Sequence, residues 1–276
     1  MAGETEQQLR AYVEYFRDLG VHDFYRRGEP VAVAETIVMA VSEPVRAAEL
    51  PVVVSSKPAF LEPPIAKLVS FDDLAPLPLS RVPASEKAAA LAAIQEEIGD
   101  CTRCPLAYAG RRKIVFGDGD ANARLMFVGE GPGADEDASG VPFVGKAGQL
   151  LNNMIGAMGL KREDVYIANI VKCRPPANRV PEPAEANVCT QFLVRQMDVV
   201  QPEVVVALGA TAAMYLLGVK QSLSSLRGRW HSCRGAKLVV TYHPAFLLRD
   251  PRQKGEAWKD LQMVMAEMGL RAPAKG

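Results

Sequence analysis

Gly129-Glu130-Gly131-Pro132-Gly133 runs on through Glu136-Asp137 to Pro142-Phe143-Val144-Gly145-Lys146-Ala147-Gly148. Directly before it lies Leu125-Met126-Phe127-Val128, a short apolar run that reads as a buried strand. Directly after it, Leu150, Leu151, Met154, Ile155 and Met158 recur at helical spacing. The order is therefore strand, glycine-rich loop, helix. In open α/β sheets ligands bind outside the carboxyl ends of the strands, where such loops sit. The glycines are not a dinucleotide fingerprint: the spacing is G-x-G-x-G, Pro132 interrupts it, and no helix is expected directly after Gly133. Nor is this a phosphate-binding Walker loop, because Gly145-Lys146 is followed by Ala147 rather than Ser or Thr.

Outward from this stretch the pattern alternates. Strands are expected at 125–128, 165–170, 204–208 and 238–242, and helices at 146–158, 183–200, 210–217 and 254–268. The strands are rich in Val, Ile and Leu, as burial on both faces requires. The predicted fold is a three-layer α/β/α sandwich with a four-stranded, mostly parallel sheet. Residues 230–233 and 238–242 can pair as a local hairpin about Arg234-Gly235-Ala236. A further helix is expected over 84–98, with Ser85 as its N-cap.

The N-terminal third reads differently. Leu9, Tyr12, Val13, Phe16 and Leu19 form an apolar stripe, so residues 1–29 are expected to be a helical segment. Nine of the twenty prolines fall in residues 30–83, so 30–84 is expected to be a largely irregular Pro-rich linker. The main domain is then expected over 85–276. The chain carries no formal net charge, but residues 1–85 hold 8 Lys/Arg against 12 Asp/Glu. Chance and a mildly basic domain with an acidic extension both fit this split. The polar N-terminus does not resemble a secretory signal and no apolar run is long enough to span a bilayer, so a cytoplasmic location without a membrane partner is expected.

Four of the five cysteines fall in two pairs, Cys101 with Cys104 and Cys173 with Cys189. Four thiolates suit either a tetrahedral zinc or an iron–sulfur cluster, and spacing alone does not choose. Pro105 after Cys104 leans toward a cluster. Cys233 lies outside both pairs and is expected to be a packed residue. Glu130, Asn169 and His243 each follow an expected strand. In a parallel sheet those strand ends share one edge, so the three side chains can converge.

The Gly129–Gly133 loop with Glu136-Asp137, the run Pro142–Gln149, Asn169-Ile-Val-Lys-Cys-Arg-Pro-Pro176, Leu208-Gly-Ala-Thr-Ala212 and His243-Pro-Ala-Phe-Leu-Leu-Arg249 stand in this order between about residue 86 and 270. Together they resemble the family 4 uracil-DNA glycosylases, the iron–sulfur branch of their superfamily. The resemblance implies a [4Fe-4S] cluster on Cys101, Cys104, Cys173 and Cys189. It also implies hydrolysis of the N-glycosidic bond of uracil in single- or double-stranded DNA, by a monomer associated with the nucleoid through its substrate. A related branch that bonds covalently to its DNA product carries a basic, His-containing insertion after the Asn-bearing strand; Pro175–Pro181 stands here without it. A non-catalytic or covalently DNA-binding iron–sulfur member is the alternative. The expected roles follow. Phe143 stacks on the base and Asn169 reads its edge, with backbone N–H groups near Gly131 as added donors. His243 stabilises the departing base. Glu130, or else Asp137, positions water or stabilises the sugar cation. Lys146 and Arg249 meet phosphate, and Leu247, Leu248 and Arg249 form a DNA-facing loop with an apolar wedge. The resemblance says nothing of the first 85 residues, whose protein partner, if any, is unknown.

Overall fold

Residues 68–273 are described by a computed structural model of the protein; the helix expected within 1–29 and the Pro-rich stretch up to residue 67 lie outside them. The strands are β1 (Asp118–Gly119), β2 (Leu125–Gly129), β3 (Tyr166–Asn169), β4 (Val204–Leu208), β5 (Trp230–Cys233) and β6 (Ala236–Thr241). The helices are α1 (Phe71–Leu74), α2 (Lys87–Ile98), α3 (Ala134–Ser139), α4 (Lys146–Ala157), α5 (Pro183–Val200), α6 (Ala210–Leu217), α7 (Leu223–Leu226), α8 (Pro244–Arg249) and α9 (Lys254–Met268).

The sheet order is β1-β3-β2-β4-β6-β5. Its centre is the expected four-stranded parallel unit of β3, β2, β4 and β6. Two antiparallel edge strands bring the count to six rather than four. One of them, β5, is the hairpin arm expected at 230–233. The other, β1, is two residues long, too short to leave a pattern in the sequence.

Alternation along each central strand divides the core into two layers. Met126, Val128, Ala168, Val205, Ala207, Leu238 and Val240 face α2, α5 and α6. Leu125, Phe127, Ile167, Val204, Val206, Leu208 and Val239 face α4 and α9. This is the three-layer α/β/α arrangement.

Three local expectations are corrected. Ser85 does not cap the helix after it; α2 begins at Lys87 behind Glu86, with no side-chain cap. A helix does start directly after Gly133: α3, whose first turn carries Asp135, Glu136 and Asp137. Those acids favour the positive end of the helix, but Ala-Asp-Glu-Asp-Ala-Ser has no apolar stripe to announce it. The segment after His243 is helix α8 rather than a loop, and Leu247 on it is 1 % exposed, a core residue.

Residues 70–76 belong to the stretch expected as linker, yet they pack on the sheet's far side. Phe71 is fully buried. The Arg234 guanidinium donates to the carbonyls of Phe71, Ala75 and Pro76 and pairs with Asp198, while Asp72 accepts from the Arg234 backbone N–H.

Candidate functional site

The strand ends converge as the parallel sheet requires. Gly129 on β2 pairs with Asn169 on β3, and Leu208 on β4 pairs with Thr241 on β6, two residues before His243. Beyond this edge opens a cavity of about 590 Å³. The glycine loop from Glu130 to Gly133 forms one wall, with Glu136, Phe143 and Lys146 continuing it. Asn169, Pro175, Asn178–Val180, His243 and Arg249 line the rest of the cavity.

Glycine is needed at three points for steric reasons. A Cβ on Gly129 would collide with Asn169 Oδ1 and stand 2.6 Å from the Phe143 ring. One on Gly131 would meet Val171 Cγ2 at 2.7 Å, and one on Gly148 would run into the Phe143 carbonyl. The loop backbone therefore lies against the Asn169 and Phe143 side chains, and the first turns of α4 lie under Phe143. Phe143 itself has φ +52°, a left-handed conformation that non-glycine residues rarely hold. Two residues absent from the sequence-based site fix it there. The Glu136 carboxylate accepts the backbone N–H groups of Gly133, Val144 and Gly145 at 3.0, 2.9 and 3.2 Å. Arg162 donates to the carbonyls of Pro142 and Phe143 at 2.6 and 3.1 Å. Neither job needs a motif that spacing reveals; for Glu136 the only signal was its place inside the glycine-rich stretch.

Asn169 is 1 % exposed, and its Oδ1 is a buried acceptor without a hydrogen-bond partner among the described residues. Such an orphan costs free energy unless a ligand satisfies it. The Phe143 and His243 rings lie 5.5 Å apart and 32° from parallel. His243 Nδ1 accepts the Ala245 N–H at 3.1 Å, so the neutral ring carries its proton on Nε2. Burial, reinforced by Arg249, pulls its pKa down to about 4 against the opposing pull of Glu136.

Glu130 lines the cavity, and its carboxylate makes no side-chain hydrogen bond among the described residues. Asp137 is not brought to the cavity. It is 2 % exposed and accepts the backbone N–H groups of Arg112 and Lys113, a structural anchor for the segment leading to β1. Lys146 and Arg249 line the cavity as exposed cations, and Leu248, 43 % exposed, projects from α8 beside them.

A second, apolar pocket holds Cys101, Cys104, Cys173 and Cys189 among Ile98, Ile114, Val188 and Phe192. Among the described residues no His, Cys, Asp or Glu side chains are drawn together at metal-holding distances. The donor set nevertheless fits a thiolate-bound group: four sulfurs, no oxygen donor, a dry lining, and cationic groups beside the sulfur atoms. Arg111 reaches Cys173 Sγ at 3.3 Å, and the Lys172 N–H reaches Cys189 Sγ at 3.2 Å. Burial pushes the Cys189 thiol up to about 12 and the Lys172 ammonium down to about 8, each opposed by the other's charge. Cys233 is fully buried and packed, with its thiol against the Leu216 carbonyl.

Fold and cavity define an α/β protein that binds its ligand at the carboxyl edge of a parallel sheet. A family profile described as the uracil DNA glycosylase superfamily matches residues 116–262. A Type-4 uracil-DNA glycosylase of Thermotoga maritima is 47% identical over 159 residues, 57% of this chain and 82% of the relative. One of Archaeoglobus fulgidus is 39% identical over 188 residues, 65% of this chain and 94% of the relative. A Type-5 uracil-DNA glycosylase of Pyrobaculum aerophilum is 33% identical over 178 residues, 53% and 78% of the two chains. The chain belongs to the uracil DNA glycosylase superfamily.

Proposed function

We propose that this protein is a type-4 uracil-DNA glycosylase, hydrolysing the N-glycosidic bond of uracil in DNA to leave an abasic site. The observation that carries this reading is the unpartnered, buried Asn169 Oδ1 beside the Phe143 ring in a cavity that His243 also lines. The target base leaves the helical stack to reach such a cavity. Uracil then stacks on Phe143. Its N3–H donates to Asn169 Oδ1, and its O4 accepts from the Asn169 amide. Cytosine presents the reverse pattern at both atoms, at about 1–3 kcal/mol for each unsatisfied buried group. His243, neutral with its proton on Nε2, donates to O2 as negative charge develops on the ring. Glu130 faces the sugar, where its carboxylate positions water and stabilises positive charge; Asp137, occupied by two backbone N–H groups, has no part in this step. Lys146 and Arg249 take phosphates, and Leu248 fills space left in the duplex by the extruded base.

Cys101, Cys104, Cys173 and Cys189 would hold a [4Fe-4S] cluster, which the all-sulfur, apolar pocket supports. Bound there, it would cross-link residues 101–104 to 173–189, and hydrolysis would draw no electrons from it. The catalytic domain begins with the docked segment at residue 68 rather than at residue 85, as the burial of Phe71 supports. Among the described residues no helix is long and apolar enough to cross a membrane.

The test is single-turnover release of uracil from single- and double-stranded DNA by protein whose iron content is measured. Asn169→Ala and His243→Ala are expected each to slow release more than tenfold with visible absorbance unchanged. No release by iron-loaded wild-type protein sinks the reading, and a colourless, zinc-loaded protein refutes the cofactor.

A further inference from the structure

Lys172 lies between the two sites and belongs to neither by motif. It is 1 % exposed. Its backbone N–H donates to Cys189 Sγ, and its ammonium donates to the Asn169 carbonyl at 3.0 Å and to Gln196 Oε1 at 2.6 Å. Gln196, fully buried, donates in turn through Nε2 to the Phe116 carbonyl at 3.0 Å and to the Tyr166 hydroxyl at 2.9 Å. The two acceptors on Lys172 are neutral, and among the described residues no carboxylate forms an ion pair with it. A buried cation without a counter-charge is expensive. The four-cysteine pocket, whose lining includes Lys172 itself, would supply negative charge beside it once its sulfurs bind a cluster as thiolates. The residue therefore has one end against a sulfur and the other on the backbone of the base-reading residue.

We propose that Lys172 is a positioning residue that couples the four-cysteine site to the base pocket. Negative charge on the thiolate-bound cluster holds the ammonium in the core, and the ammonium holds the Asn169 carbonyl, so the amide stays aimed at the base. The adjoining backbone is pinned as well: Ile170 and Val171 donate to the carbonyls of Gly129 and Glu130 at 2.9 and 3.2 Å. Lys172 is thus the side-chain complement to a backbone splice between loop and strand. The inference rests on the cluster reading above and goes beyond it, because it assigns the cluster's charge an effect on base recognition without any electron transfer.

The test uses the full chain, with cluster loading read from iron content and visible absorbance. Lys172→Met keeps the length of the apolar stem and removes the charge. It is expected to shift the cluster's reduction potential to a more negative value, because a lost cation disfavours the more negative reduced state. It is also expected to slow single-turnover uracil release at least tenfold at saturating DNA, with the half-saturating DNA concentration within twofold. Gln196→Leu leaves the ammonium in place and removes one of its acceptors. It is expected to slow release several-fold with the potential unchanged. A loaded Lys172→Met protein with an unmoved potential, or with an unchanged rate, overturns the coupling while leaving the glycosylase reading intact. Where Lys172→Met takes up no cluster, Gln196→Leu decides, and a wild-type rate there overturns the proposal. An iron-free wild-type chain removes the cluster reading and this proposal together.

Discussion

A methyl group on Gly129 would occupy the space shared by Asn169 Oδ1 and the Phe143 ring. Gly129→Ala is therefore expected to displace one of them. Uracil release should fall more than tenfold while far-ultraviolet circular dichroism stays unchanged, because the side chain points at the pocket and not into the core. His243 makes a second residue-scale prediction. Its ordinary pKa is about 6.5, and burial holds it at about 4 in the fold. The unfolded chain thus binds the extra proton first as pH falls, so His243 takes stability away between about pH 6.5 and pH 4 and takes none above that range. The neutral ring is the donor in the proposed step. The rate should therefore show no limb from His243 between pH 5 and pH 8, measured at saturating DNA. The placement of His243 and Asn169 at the cavity was legible in the sequence because each stands at the carboxyl end of an apolar run, and the polarity of a parallel sheet gathers such positions. Asp137 drew attention for a different reason, its place in the glycine-rich stretch, but it sits on the inner face of a short helix, where backbone N–H groups claim it.

Among the elements, the loop from Gly133 to Gly145 is closed by one carboxylate. Glu136→Ala leaves three backbone N–H groups without their acceptor, each worth about 1–3 kcal/mol where water cannot replace it. Phe143, held at positive φ by this closure, is expected to lose its fixed orientation. The expected outcome is a rate loss of at least tenfold with a smaller fall in melting temperature, read by single-turnover kinetics and thermal unfolding. The four central strands and the helices α4, α5, α6 and α9 could be read because long apolar runs and helical stripes survive in any context. The short helices could not. α3 is almost wholly polar, α1 and α7 span four residues each, and α8 carries apolar residues that look like a surface wedge until Leu247 turns inward. Arg162 illustrates what local pattern omits. Its purpose is to hold two carbonyls nineteen and twenty residues away in sequence, and nothing near it in the chain hints at them.

For the molecule as a whole, the docked segment at residues 70–76 adds a buried ring to the packed core. Phe71→Ala removes a fully buried ring and is expected to cost about 3–5 kcal/mol. At roughly 2–4 °C per kcal/mol for a domain of this size, that is a fall in melting temperature of about 6 °C or more. Removing residues 1–67 should leave melting temperature and uracil release unchanged, whereas removal through residue 80 should reproduce the Phe71→Ala loss; thermal unfolding and single-turnover release read the two. Proline density made this stretch look like spacer throughout. The polar contacts that hold it come from Arg234, itself paired with Asp198, more than 150 residues further on, which no local reading reaches.

The attachment point has a practical side. Arg234 precedes β6 and its partner Asp198 precedes β4, so the segment that Arg234 grips lies at the amino ends of the parallel strands, while the cavity opens at the carboxyl ends. Cargo joined ahead of residue 68, whether an affinity handle, a fluorophore or another enzyme, is thus carried from the back of the catalytic unit. A surface-tethered form immobilised by that end should keep its cavity facing solution and turn over substrate as the free protein does.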